Sequence, residues 1–296
     1  MKICIVEPKA PFYNFYSAFM KHLPLLGPIY LGTILNNEGH DVTIYNENIK
    51  RIDYTTLKSC DILAISTMTS TAPRGYEIAK RFRELNPKGK IIAGGVHATF
   101  LPEEAAIYAD HVVRGEGELV ISDLVNNGGE KIIHGTPMEN LDDLPFPNFS
   151  LVEGFKKHMP ITPISTSRGC PYACTFCSVS PMFGRKYRFR STESVIEELS
   201  RFKHRYVFFY DDNFAANKER TKKLLNQMIE HKITPKWMAQ VRADIAKDEE
   251  MVQLMAEANC KNLAIGFESL NAETLKRYNK KLTPEDNKTC IDVLHK

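Results

Sequence analysis

No stretch of about 18 consecutive apolar residues occurs in this 296-residue sequence, so no membrane span is expected. Net charge is also scarce. The 39 Lys and Arg against 36 Asp and Glu leave +3, which demands no polyanionic partner, and a nucleic acid is not expected. The nearest approach to a basic patch is Arg185 to Arg190. The opening residues, MKICIVEPKA, have the pattern of a buried strand, without the basic start, apolar stretch and small-residue cleavage site of a secretory signal. A disulfide framework is absent too. The seven cysteines are odd in number, and three of them crowd into Cys170–Cys177. Cys4, Cys60, Cys260 and Cys290 lie in or beside apolar elements, where a free thiol behaves as a small hydrophobe. These absences point to a cytoplasmic protein with reduced thiols. What is present, 43% hydrophobic and 25% charged residues, suits a globular chain of two domains.

The first 135 residues alternate short apolar runs with helix-like segments. Ile3 to Val6, Val42 to Tyr45, Ile62 to Ser66, Ile91 to Ala93 and His111 to Val113 read as strands, with Ile132-Ile133 as a candidate edge. Pro28 to Asn37 and Pro73 to Leu85 read as helices. Continuous apolar strands between helices imply an α/β fold with a doubly wound parallel sheet, Rossmann-like, covered on both faces. Residues 136 to 160 break the pattern with Thr136-Pro137 and Leu144-Pro145-Phe146-Pro147, so they read as a connector. From 161 to 296 the alternation restarts: strands at Ile161 to Ser165, Tyr206 to Tyr210, Trp237 to Val241 and Leu263 to Phe267, each releasing polar residues at its carboxyl end. Parallel barrels place their chemistry at that end.

The chemistry is concentrated in Cys170-Pro-Tyr-Ala-Cys174-Thr-Phe-Cys177, spaced C-x3-C-x2-C. An iron–sulfur cubane that only carries electrons takes four thiolates, so three in one loop leave one iron open for a ligand. Structural zinc would want a fourth ligand, and no cysteine or histidine follows Cys177 until His204. The adjacent Arg168-Gly169 and Pro171 make the segment a strand-end loop.

These cysteines, with Phe176 between the last two, resemble the motif of the radical S-adenosylmethionine (SAM) superfamily. The resemblance implies a [4Fe-4S] cluster on Cys170, Cys174 and Cys177, whose open iron chelates SAM. Reductive cleavage of SAM then yields a 5′-deoxyadenosyl radical, while the protein positions the cofactors. It also implies SAM contacts at successive strand ends: Phe176, then Asp211 and Asp212 near the amino group, Arg242 for the carboxylate, and Glu268 of Ile265-Gly-Phe-Glu-Ser269 for the ribose.

No G-x-G-x-x-G follows the first strand, so a dinucleotide site is not supported. Pro24 to Gly32, the hydroxyl-rich Ser66 to Thr71, Gly94-Gly-Val-His-Ala-Thr99, Val113 to Glu118 and the Leu144-Pro-Phe-Pro147 connector instead resemble cobalamin-dependent radical SAM enzymes. That resemblance implies cobalamin contacts at Ser66, Thr67, Thr69, Gly94, Gly95, His97, Gly115, Glu116 and Gly117. No Asp-x-His-x-x-Gly follows the first strand, so a histidine is not expected on cobalt. Barrels of this family have about six strands and a further C-terminal region, whereas four units are legible here, so the barrel is expected to be partial.

The leading expectation is methylation of an unactivated centre in a small-molecule substrate, with flavodoxin or ferredoxin as electron donor. Ring formation or oxidation is a second option. A methylthiotransferase would want three cysteines in the first domain, where only Cys4 and Cys60 occur. A plain iron–sulfur electron carrier would want a fourth cluster ligand.

Overall fold

The computed structural model describes residues 1–9, 23–155, 161–202 and 206–295. It divides into two units, one of Met1–Glu139 with Asp143–Met159, the other of Asn140–Asp142 with Pro160–Lys296.

The first unit is built on six strands: β1 (Lys2–Glu7), β2 (Asp41–Asn46), β3 (Ile62–Ser66), β4 (Lys90–Gly94), β5 (His111–Arg114) and β6 (Ile132–His134). They pair in parallel, in the order β2-β1-β3-β4-β5-β6. Alternate residues of one strand enter opposite cores because side chains alternate across a sheet. Cys4, Val6, Leu63 and Ile65 join one apolar cluster, whereas Ile3, Ile5, Ile62 and Ala64 join the other. Helix α1 (Leu26–Asn37) covers the second face with Ile29 and Leu35. After α2 (Tyr54–Lys58), helix α3 (Ala72–Leu85) covers the first with Ile78 and Phe82. Winding therefore reverses at β1, and this is the switch point at which doubly wound sheets open a crevice beyond the strand ends.

Residues 143–155 of the expected connector pack on this unit. Asn148 N–H donates to Thr33 Oγ1 at 2.9 Å, Glu153 N–H to Ile44 O at 2.9 Å, and Val152 and Phe155 enter the core. A short helix, α4 (Gly95–Phe100), begins directly after β4 and is an addition to the elements read from the sequence.

The second unit holds β7 (Ile161–Ile164), then a two-stranded antiparallel pair, β8 (Ser167–Arg168) with β9 (Arg188–Phe189), and β10 (Tyr206–Phe209), β11 (Lys236–Arg242) and β12 (Cys260–Gly266). Strands β7, β10, β11 and β12 lie side by side in chain order, all parallel. Winding that never reverses puts every helix on one face, as in a barrel wall. One apolar cluster gathers Val207, Phe209, Trp237 and Ala239 of the strands with Leu199, Leu224, Met228 and Met255 of the helices. The opposite face carries Pro163, Phe208, Met238 and Gln240, the composition of a half-open interior. Side-chain caps start these helices: Ser191, Asn217, Asp248, Asn271 and Thr283 each accept from a backbone N–H in the first turn.

The basic stretch Arg185 to Arg190 forms no surface patch. Arg188 and Arg190 are each 4% exposed, and Arg190 is spent on Glu198, Ser165 O and Ser194.

Candidate functional site

The cysteine loop runs between β8 and β9, so an antiparallel pair pins both of its ends. Gly169 enters it at φ +81°, and a Cβ there would lie 2.8 Å from Lys186 O, so the residue must be glycine. Cys170, Cys174 and Cys177 are free, half-buried thiols, and burial pushes the Cys170 thiol upward. Among the described residues, no three His, Cys, Asp or Glu side chains converge on one point as a single metal ion requires. A cubane takes each thiolate on a different iron, so three sulfurs spread along one loop fit it better than they fit zinc.

A segment with no sequence signal braces this loop. It follows the helix Ala272–Arg277. Thr175 N–H donates to Tyr278 O at 3.0 Å, Asn279 Nδ2 donates to Ala173 O at 2.8 Å, and Phe176 packs on Tyr278 with ring centres 5.1 Å apart.

The strand-end residues divide by role. Asp211 is fully buried. Its carboxylate accepts from Thr166 N–H at 2.7 Å, Ser167 N–H at 3.0 Å and the Thr166 hydroxyl at 2.5 Å. Burial raises its pKa, opposed by the Thr166 bonds and the Arg220 guanidinium. Asp211 therefore ties the end of β10 to β7 and β8. Asp212 points the other way. It is reached by solvent yet ringed by protein, and that desolvation, with Asp211 beside it, pushes its carboxyl up to about 6.

Arg242 is 6% exposed. Its guanidinium stacks 3.6 Å from the Tyr172 ring centre, donates to Lys280 O at 2.6 Å and reaches Cys174 Sγ at 4.0 Å. Asp244 Oδ2 lies 3.5 Å from its Nε. Arg242 is thus already built into the cysteine loop. Glu268 sits at φ +61°, a left-handed conformation rare for a residue with a side chain, and its carboxylate takes Lys280 Nζ at 2.9 Å. Tyr172, Thr166 and Lys280 are the site residues that sequence reasoning missed. Only Tyr172, inside the cysteine motif, carried any signal.

In the first unit three strand ends meet. Thr67 N–H donates to Gly94 O at 3.0 Å, and His97 N–H to Thr67 O at 2.9 Å. Thr99 Oγ1 accepts from Gly115 N–H at 3.0 Å and donates to Gly95 O at 2.8 Å. Ser66, Thr67, Gly94, Gly95 and Gly115 are thereby brought together. His97 is turned inward at 3% exposure. Its Nε2 lies 2.8 Å from Tyr76 Oη and 3.4 Å from Glu104, and its Nδ1 lies 3.4 Å from Thr69 Oγ1. Glu116 is buried and accepts from Met138 N–H at 3.4 Å. Gly117 packs on Leu31.

The two adjacent glycines differ. A Cβ on Gly95 (φ +89°) would lie 2.8 Å from both N and O of Thr67, whereas one on Gly94 would meet nothing nearer than Val113 O at 3.9 Å. Gly115 is equally open. Gly95 serves the fold, while Gly94 and Gly115 leave open space at the ends of β4 and β5. Glu7, at the end of β1, is 4% exposed, and burial drives its carboxyl up to about 8 against a Leu25 N–H bond at 3.2 Å.

A barrel wall presenting three thiols on one loop, in a chain that also carries a doubly wound sheet, defines the class: iron–sulfur enzymes of the radical SAM type. The radical SAM superfamily model matches residues 164–296, and the B12 binding domain model matches residues 22–125. An uncharacterized methyltransferase of Pyrococcus horikoshii, PH0819, is 30% identical over 92% of this chain and 67% of its own length. The bacteriochlorophyllide d C-12(1)-methyltransferase of Chlorobaculum tepidum is 27% identical over 100% of the chain and 66% of its own length. Among solved structures, the cobalamin-dependent SAM radical enzyme OxsB with aqua-cobalamin bound superposes with a TM-score of 0.80 at 19% identity, over 99% of this chain and 47% of that one. The chain thus spans from about half to about two thirds of the length of these proteins.

The chain belongs to the radical SAM superfamily, in its cobalamin-dependent branch. Its cofactors are those of that branch: a [4Fe-4S] cluster, SAM and cobalamin. No helix among the described residues is long and apolar enough to cross a membrane.

Proposed function

We propose that this chain cleaves SAM reductively and uses cobalamin to methylate an unactivated centre of a small molecule. The observation that carries the reading is the cysteine loop. Three free thiols sit on one loop between β8 and β9, braced on both sides and without a fourth partner among the described residues. When bound, the cluster supplies the electron that cleaves SAM, and cobalamin supplies the methyl group.

The chain's own residues do the rest. Cys170, Cys174 and Cys177 hold the cluster. Tyr172 and Arg242 fix the loop that carries them. Asp212, Glu268 and the exposed Phe176 line the face where SAM would lie, and Asp211 sets the strand end that aims Asp212. In the first unit Ser66, Thr67, Thr69, Gly94 and Gly115 would contact the corrin, with Gly95, His97, Glu116 and Gly117 shaping their loops. A low-potential protein of the flavodoxin or ferredoxin type is the proposed electron source.

The test is anaerobic reconstitution with iron, sulfide, SAM and hydroxocobalamin. Expected are about four irons per chain, 5′-deoxyadenosine under reduction, and methylcobalamin with S-adenosylhomocysteine. Deoxyadenosine without methylcobalamin would favour ring formation or oxidation. Neither product would refute the reading.

A further inference from the structure

Lys280 follows the helix Ala272–Arg277, far in sequence from the cysteines and outside every stretch singled out in the sequence. It is nonetheless 5% exposed, unusual for lysine. Its ammonium is 2.9 Å from Glu268 Oε1 and 5.8 Å from the Phe176 ring centre. Its carbonyl oxygen accepts from Arg242 at 2.6 Å. Asn279, one residue earlier, holds the cysteine loop through Ala173 O. One short segment therefore touches three separately supplied parts of the site.

The Glu268–Lys280 pair also explains Gly266. A Cβ there would lie 2.6 Å from Glu268 Oε1 and 2.9 Å from Lys280 Nζ, with no backbone atom so near. The pair lies across the end of β12 in the space that glycine leaves. Glu268 itself is in a left-handed conformation, which sets its side chain off the ordinary strand direction. With Oε1 taken, Oε2 makes no hydrogen bond among the described residues and remains for a ligand.

We propose that Lys280 is a positioning residue of the SAM site: its ammonium holds one oxygen of Glu268 so that the other faces the ribose hydroxyls of SAM. The inference rests on the reading of Glu268 as a SAM contact. A buried ammonium selects one carboxylate geometry out of many, so its removal frees Glu268 to rotate. Loss of such a supporting partner costs roughly ten- to hundredfold in affinity.

The test compares Lys280→Met, Lys280→Arg, Gly266→Ala, Glu268→Gln and the Lys280→Met/Glu268→Gln double variant. All are measured as anaerobically reconstituted protein, by iron content and by equilibrium dialysis with SAM. Expected is a ten- to hundredfold weaker SAM dissociation constant in Lys280→Met with iron content intact, and partial rescue in Lys280→Arg. Gly266→Ala should weaken SAM similarly, because its methyl displaces only the ends of two flexible side chains; it carries the test if Lys280→Met does not fold. The double variant should be no weaker than Glu268→Gln alone, because Lys280 acts through that carboxylate. Unchanged SAM affinity in Lys280→Met or Gly266→Ala beside a weakened Glu268→Gln overturns the proposal alone. An unaffected Glu268→Gln overturns the reading of Glu268 beneath it. Loss of iron in Lys280→Met would assign Lys280 to the cluster loop, and that also overturns the proposal.

Discussion

Valine at Gly94 and valine at Gly95 should fail in opposite ways. At Gly95 the backbone stands at φ +89°, and the new Cβ would lie 2.8 Å from both N and O of Thr67. The left-handed conformation costs an L-residue about 1–2 kcal/mol, and the clash with backbone adds a comparable amount, so about 3 kcal/mol is expected. For a unit of this size that lowers the melting temperature by roughly 6–12 °C. Gly94 is extended, at φ −155°. A Cβ there meets nothing nearer than 3.9 Å, so Gly94→Val should melt within about 2 °C of the parent. Its isopropyl group would instead occupy the crevice, and hydroxocobalamin affinity should fall at least tenfold. Thermal unfolding monitored by circular dichroism, beside cobalamin titration by absorbance, separates the two. A stable Gly94→Val that binds cobalamin as tightly as the parent would refute the corrin-facing role of this strand end.

Alanine at Cys170, Cys174 or Cys177 should abolish the cluster, whereas Cys60→Ala should keep about four irons per chain by iron assay. Asp211→Ala leaves the Thr166 and Ser167 amides without their buried acceptor and removes the charge that faces Arg220, so it should destabilise the second unit by about 3–5 kcal/mol in a denaturant titration, while Asp212→Ala should spare stability and weaken SAM. Glu7 has its folded pKa raised from 4.5 to about 8, so the native state holds a proton that the unfolded chain has lost. Stability should therefore fall as pH rises from about 5 to about 8, and Glu7→Gln, which keeps an acceptor for Leu25 N–H, should flatten that decline in melting temperature. A parallel decline in both proteins would count against a neutral Glu7.

The strands and most of the helices were legible because local periodicity encodes them. Runs such as Ile62 to Ser66 and Tyr206 to Phe209 are apolar at consecutive positions, and in a parallel sheet covered by helices that pattern has few other uses. The cysteine spacing was legible for a similar reason, since one short loop must deliver all three thiolates. Everything that depends on direction or on distant partners was decided by the tertiary structure. Asp211 and Asp212 are neighbours of identical type, yet the chain bends just beyond β10, so one is buried against Thr166 and the other is exposed beside the Gly169 backbone. Gly94 and Gly95 look alike in sequence, and only the approach of Thr67 from the neighbouring strand end separates them. Arg190 lies in a basic stretch, yet Glu198 on the following helix draws it inward. Arg242 and Lys280 meet across 38 residues because strand order and helix packing return the chain there. Sequence carries what neighbouring residues impose on one another; which strand end faces which depends on the whole sheet.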